Sequence, residues 1–218
     1  MKIQVVENVL KANDATAETN RQTLKDTGLL AVNLMSSPGS GKTTLLEKTI
    51  PLLGDDHPCA VMVGDLQTTR DAERVGQVAV AATQIKTGRG CHLSAAQVAE
   101  ALKTLDLEKL SFLFIENVGN MVCPAAFDLG EHRKVVLLST PEGDDKVAKY
   151  YTLFQQADVI LLTKMDLAKV CGFDMARIRE DLAKINTRAP VIPMSVQTGQ
   201  GMEEWLAWLN AQRAAIRS

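Results

Sequence analysis

"NLMSSPGSGKTTLLEKTI", Asn33 to Ile50, decides how this 218-residue chain is read. An apolar run enters the stretch, a helix-like run leaves it, and small residues, two glycines and a lysine lie between. A loop whose backbone N–H groups point inward at the start of a helix offers donors and the positive end of a dipole to an anion, so phosphate is the expected ligand. The expected cradle runs through Ser37, Pro38, Gly39, Ser40, Gly41, Lys42, Thr43 and Thr44. Gly39 and Gly41 let the backbone approach phosphate, Lys42 reaches the β and γ groups, and the Thr43 hydroxyl is available to Mg²⁺. Ser36 stands where the form G-x-x-x-x-G-K-[ST] has its first glycine.

The flanks agree with this reading. "LLAVNLM", Leu29 to Met35, is apolar without helical period, as a buried parallel strand is, and "KTTLLEKTIPLL" carries Leu45, Leu46, Thr49 and Leu52 at helix-like spacing. Working outward, apolar runs recur as "CAVMVGD", "ATQIKTG", "SFLFIEN", "KVVLLST", "DVILLTK" and "APVIPMS". Between them lie the helix-like "TRDAERVGQVAVAA", "LSAAQVAEALKTL", "KVAKYYTLFQQ" and "DMARIREDLAKIN", and "GMEEWLAWLNAQRAAIR" follows the last run. Strands alternating with helices specify an α/β fold with a mostly parallel sheet of about seven strands and helices on both faces, and the glycine loop makes it a P-loop NTPase. The expected organisation is an N-terminal helical segment, residues 1–28 with its helix at roughly 5–26, packed on a P-loop domain of residues 29–218.

Composition narrows the classes. With 46% hydrophobic residues and a formal charge of −2, the chain can bury one core and shows no basic excess for nucleic acid. No apolar run reaches the ~18 residues of a membrane span, and the N-terminus lacks the apolar centre of a signal peptide, so a cytoplasmic location is expected. Cys59, Cys91, Cys123 and Cys171 are too scattered for a disulfide framework. His57 and His132, flanked by charged or turn residues, are expected to be solvated.

In a parallel sheet, ligands bind at the carboxyl ends of the strands. "GDLQTTRDAER" puts Asp65 at such an end, where it can hold Mg²⁺ directly or through water, and "SFLFIEN" delivers Glu116, a Walker-B-like carboxylate. Lys42, Asp65 and Glu116 are therefore the catalytic candidates, with Thr43, Asp65 and Glu116 around Mg²⁺. "LLTKMDL" reads as the base-recognition element [NT]-K-x-D, from Thr163 and Lys164 to Asp166. A carboxylate at Asp166 accepts from N1–H and the exocyclic amine of guanine, donors that adenine lacks there, which favours GTP and GDP. Thr163 replaces the commoner Asn, so one contact is expected to be weakened or rearranged. The loop at Ser195 and Val196 is expected to supply a backbone donor to the guanine oxygen.

Two strand ends serve something else. "KTGRGCHL" places Cys91 and His92 after the third strand, and "ENVGNMVCP" places Cys123 beyond Glu116. Both loops leave one edge of the sheet, so two thiolates and an imidazole can converge, a soft set suited to Zn²⁺ or Ni²⁺.

With "SSPGSGKTTLL", "GDLQTTRDA", "TGRGCHL", "FIENVGNMVCPAAFDLGE", "PEGDDKVAKY" and "LLTKMDL" in this order, the chain from about Leu29 onward resembles the HypB family of GTPases, which assist nickel insertion into [NiFe]-hydrogenase. The resemblance implies a G-protein fold that dimerises around nucleotide, a metal site of Cys91, His92 and Cys123 at the subunit interface, and, as partners, a nickel-hydrogenase maturation protein and the hydrogenase large subunit. Lys146 in "GDDK" is the candidate for a contact made across the dimer. The N-terminal cysteine cluster or histidine-rich tract of some members is not expected here. No Gln stands out to orient attacking water, so slow turnover is expected. The competing readings are the sister urease-type GTPase, which should carry a Cys-Pro-His motif, a metabolic P-loop kinase, and a structural domain that keeps nucleotide as a staple.

Overall fold

The structure, a computed structural model, describes residues 5–65, 69–88 and 90–217, with side chains from residue 10 onward. Residues 66–68 of "GDLQTTRDA" and Arg89 of "TGRGCHL" lie outside the described residues. Each apolar run forms a strand: β1 Leu30–Met35, β2 Cys59–Asp65, β3 Ala81–Lys86, β4 Phe112–Glu116, β5 Arg133–Ser139, β6 Val159–Thr163 and β7 Val191–Pro193. They build one seven-stranded sheet in the order β3-β2-β4-β1-β5-β6-β7. Every pairing is parallel. The helices are α1 Val5–Thr27, α2 Lys42–Leu53, α3 Arg70–Val75, α4 Ala95–Leu102, α5 Lys146–Lys149, α6 Tyr151–Gln155, α7 Met175–Ile185 and α8 Met202–Arg217.

The two faces of the sheet explain the unbroken apolar runs, because strands covered on both sides cannot alternate with polar residues. Leu30, Val32 and Leu34 of β1 pack with Leu45 and Leu46 of α2 and Trp205 and Leu209 of α8. Ala31 faces the other side with Leu24 of α1 and Val98 and Leu102 of α4. Farther along that face, Val136, Leu138, Ile160 and Leu162 meet Val147, Phe154, Ile178 and Leu182. Trp205 is fully buried, and its indole N–H donates to Thr49 Oγ1 at 2.9 Å, so α8 is locked to the helix that starts at the glycine loop.

α1 is held by side-chain amides. Asn13 donates to the Asp128 carbonyl (2.8 Å) and accepts from Ala95 N–H (2.9 Å), and Asn20 donates to the carbonyls of Ala95 and Leu129. A Cβ at Gly130 would lie 2.5 Å from the Ala17 carbonyl oxygen, so the glycine permits this close approach.

Three expectations need correction. The run from Thr69 to Ala82 is helical only over Arg70–Val75, and the chain then extends into β3 with Val80 exposed. "KVAKYYTLFQQ" breaks at Tyr150 into α5 and α6, which brings Val147, Leu153 and Phe154 into one core cluster. His57 and His132 are half-buried and partnered, where full solvation is expected. His57 lies edge-on to Phe112 and meets Arg213, and His132 Nδ1 accepts from Ala31 N–H at 3.0 Å. Burial, with Arg133 and Arg21 nearby, holds the His132 pKa below its ordinary value.

Candidate nucleotide and metal site

Parallel pairing aligns the strand ends, with Leu34 and Val63 beside Glu116, Asp65 beside Lys86, and Ser139 beside Thr163. The loop after β1 opens there into a cleft of about 440 Å³. Its lining includes Pro38, Gly39, Gly41, Lys42, Thr43, Thr44, Asp65, Glu116 and Lys164. Gly41 has φ +100° and Gly39 φ +77°, left-handed backbone that lets the loop curl around an anion before α2 begins. Lys42 and Thr43 are the first two residues of α2 and are buried.

Ser36 is integrated into this loop. Its Oγ accepts from Lys42 Nζ at 3.0 Å and donates to the Ser37 carbonyl at 2.8 Å, so the residue that departs from the glycine pattern holds the phosphate lysine in place. Burial pushes the Lys42 pKa down, opposed by the Glu116 charge. Burial also pushes Glu116 up, opposed by its bond from Thr43. Glu116 Oε1 accepts from Thr43 Oγ1 at 2.7 Å, while Oε2 is buried with no hydrogen-bond partner among the described residues. An orphaned carboxylate oxygen beside a hydroxyl ligand candidate fits a hydrated Mg²⁺, whose shell would satisfy it.

The base motif is bound into the same loop. Thr163 Oγ1 donates to the Ser40 carbonyl at 2.8 Å, which braces β6 against the phosphate loop. Lys164, at φ 57°, sends Nζ to the Gly39 carbonyl (2.7 Å). A left-handed lysine is an uncommon, strained geometry that its neighbours must hold. Ser195 Oγ donates to Asp166 Oδ1 at 2.5 Å. The Ser195 N–H donates to the Gln200 carbonyl at 3.0 Å.

Cys91, His92 and Cys123 also meet, with one ligand atom from each lying within 4.8 Å of the others. The two Sγ atoms are 2.8 Å apart, and Cys91 Sγ is 3.7 Å from His92 Nδ1. Both thiols are partly buried. The His92 ring stacks on Phe127 with centroids 3.7 Å apart, which orients the imidazole, and burial lowers its pKa so that the neutral, metal-binding form is favoured. Sharing a proton with Cys91 raises the Cys123 pKa. A bound cation would displace that proton. Cys59 is buried in β2, and burial pushes its thiol up to about 12, whereas Cys171 is exposed.

Sequence reasoning missed Glu142, whose carboxylate accepts from Ser40 Oγ (2.6 Å), Ser139 Oγ (2.7 Å) and the Ser37 hydroxyl. It lies in "PEGDDK", beside Lys146, whose Nζ meets Asp145 Oδ1 at 2.6 Å. Arg74 was also missed; from α3 it reaches Glu47 (2.5 Å) and Thr44 (3.2 Å) on α2. The order of residues carries no signal for such contacts beyond a charge near a strand end.

The comparisons with known proteins cover both parts of this site. The family described as CobW/HypB/UreG, nucleotide-binding domain, matches residues 30–193. Hydrogenase maturation factor HypB of Azotobacter chroococcum mcd 1 is 48% identical over 213 residues, covering 98% of this chain and 70% of the relative. Hydrogenase/urease maturation factor HypB of Helicobacter pylori is 43% identical over 211 residues, covering 95% of this chain and 86% of that protein. The crystal structure of HypB from Helicobacter pylori in complex with nickel superposes with a TM-score of 0.89 at 42% identity, covering 94% of this chain and 96% of that one.

Proposed function

This chain belongs to the HypB family of CobW/HypB/UreG nucleotide-binding proteins, and from that premise we propose that it is a GTP-hydrolysing metallochaperone that carries nickel for insertion into [NiFe]-hydrogenase. The observation that supports this best is a shared segment. β4 ends in Glu116 beside the phosphate cradle, and the chain continues from there to Cys123, which meets Cys91 and His92. A nucleotide alone gives no reason for such a thiol–imidazole cluster.

Ser37 to Thr44 bind the phosphates of GTP, Lys42 neutralises charge at the γ group, and Asp166, oriented by Ser195, accepts from guanine. Thr43, Asp65 and Glu116 would hold Mg²⁺, which when bound neutralises charge across the β and γ oxygens. The fold keeps the loop from collapsing through Lys42 on Ser36, Thr163 on Ser40 and Lys164 on Gly39. Nickel, or zinc, is cargo at Cys91, His92 and Cys123, where three ligands leave a further position for a client or a second chain. GTP favours a homodimer with Lys146 facing the partner's nucleotide, turnover is slow, and hydrolysis releases the dimer. A maturation protein and the hydrogenase large subunit exchange the metal in the cytoplasm. No helix among the described residues is long and apolar enough to cross a membrane.

The test is GTP hydrolysis with and without Ni²⁺, together with Ni²⁺ affinity in the GDP and GTP-analogue states. Hydrolysis of GTP over ATP and a nucleotide-dependent nickel affinity support the reading. Phosphoryl transfer to a small acceptor, with no metal binding, would make the chain a kinase. A urease client is favoured by one observation, the hydrogenase/urease name of the Helicobacter pylori relative. Nickel delivery to both apo-enzymes separates the clients.

A further inference from the structure

The two loops that bring the metal ligands together are tied to one buried side chain outside the ligand set. Asn117 follows Glu116 and is 1% exposed. Its backbone N–H donates to the Leu34 carbonyl (3.1 Å), which continues the β4–β1 ladder one residue past the strand end. Its side-chain Oδ1 accepts from two amides at once, Leu93 N–H at 3.3 Å and Val118 N–H at 2.9 Å. Leu93 is the residue after His92, and Val118 opens the loop to Cys123. Its Nδ2 donates to Asn33 Oδ1 at 3.2 Å. Asn33, at 0% exposure in the middle of β1, donates in turn to Glu131 Oε1 at 3.1 Å, and Glu131 Oε2 accepts from Leu129 N–H at 2.9 Å.

A polar relay of this kind inside a sheet is costly unless every member is satisfied. Each of these groups has its partner, so the amide of Asn117 is fixed in position and direction by β1. Farther along the same loop, Gly119 packs so closely on the phosphate loop that a Cβ would lie 2.8 Å from Pro38 Cα. The segment from Glu116 to Cys123 therefore touches the nucleotide cradle at two points, and the Cys91–His92 loop is referred to it through one oxygen.

We propose that Asn117 is the positioning residue of the metal site: its carboxamide oxygen clamps the Cys91–His92 loop and the Cys123 loop to each other and to the strand end that carries Glu116. It touches no cargo ion. It acts by fixing the spacing of the ligands, and a change at Glu116 or Pro38 is transmitted to both loops through it. The inference rests on the metal reading given above.

The test is equilibrium Ni²⁺ binding by the whole chain, in the GDP and GTP-analogue states, for the wild type, Cys91→Ala, Asn117→Ala and Asn117→Asp. Asn117→Ala should weaken Ni²⁺ binding by ~10–100-fold, the range for partners that orient ligands, and should shift the nickel–thiolate charge-transfer band. Asn117 lines the nucleotide cleft beside Glu116, so GDP affinity is measured on the same variants: the loss of Ni²⁺ affinity should exceed any loss of GDP affinity, and an equal loss of both overturns the proposal. Asn117→Asp keeps the accepting oxygen for Leu93 and Val118 but loses the donor to Asn33, so it should bind nickel more tightly than Asn117→Ala and more weakly than the wild type. Wild-type affinity and an unshifted band in Asn117→Ala overturn the proposal. If Cys91→Ala also leaves nickel binding unchanged, the metal reading fails instead. Should Asn117→Ala not fold, amide exchange in the wild type decides: Leu93 and Val118 should slow together on adding Ni²⁺, and a response from only one of them overturns the clamp.

Discussion

The Thr163 hydroxyl donates to the carbonyl of Ser40 at 2.8 Å, joining the base motif to the phosphate loop across 123 positions of sequence. Thr163→Val keeps the shape and removes the donor. A neutral hydrogen bond is worth about 0.5–1.5 kcal/mol, so GTP and GDP affinity should both fall by roughly 2- to 13-fold. Thr163→Asn, which restores a donor, should lose less. Calorimetric titration with GDP reads this directly, and an unchanged Thr163→Val affinity would show that the brace does not matter to binding.

Asp166 Oδ1 accepts from Ser195 Oγ at 2.5 Å, and in the proposed function the carboxylate reads guanine. Asp166→Asn presents a donor where the carboxylate accepted, so preference should move from guanine toward xanthine. Competition between GTP and XTP measures the change, and full GTP affinity with no XTP binding would remove Asp166 from base recognition.

Lys42 is buried at the start of α2 with its Nζ on Ser36, away from the hydrophobic clusters. Lys42→Ala should abolish measurable hydrolysis and leave the unfolding temperature within a few degrees of wild type. Normal turnover in the variant would show that the loop is not the phosphate cradle.

His132 supplies a pH dependence away from the site. Its folded pKa lies below the ordinary value because of burial, while its Nδ1 accepts from Ala31 N–H. A depressed folded pKa means that the stability is present above the unfolded value of about 6.5 and is lost as pH falls through the folded value. Melting temperature should therefore drop between about pH 7 and pH 5, and His132→Asn, which keeps an acceptor, should flatten that drop. Equal slopes for the two proteins would contradict the assignment.

The sheet was legible because strands buried on both faces have no polar residues to interrupt them, and the phosphate loop because glycine, lysine and hydroxyl must follow one another. Cys91, His92 and Cys123 were legible as candidates because parallel strands deliver their loops to one edge. Glu142, 102 positions from Ser40, and Asn117, 84 from Asn33, were not, since their partners are chosen by tertiary packing. The reading of His132 as solvated missed its half-burial and its partner for the same reason. Its charged neighbours in sequence, Glu131 and Arg133, say nothing of Ala31, which pairs with it from β1. α3 ended early at Gly76, beyond which turn hydrogen bonds from Gln77, Val78 and Ala79 lead the chain into β3 although the helical pattern continued in sequence.

In the proposed function the nucleotide cleft and the thiol–imidazole cluster act as one device, because Glu116 and Cys123 lie on one segment. The most direct measurement is equilibrium Ni²⁺ binding to the purified chain loaded with GDP and with a non-hydrolysable GTP analogue, with Cys123→Ala alongside. Nickel affinities should differ between the two states by at least about fivefold, the lower end of ordinary coupling between sites, and Cys123→Ala should lose tight binding with nucleotide affinity nearly unchanged. Equal nickel affinity in both states, or tight nickel binding that survives Cys123→Ala, would contradict the proposed function.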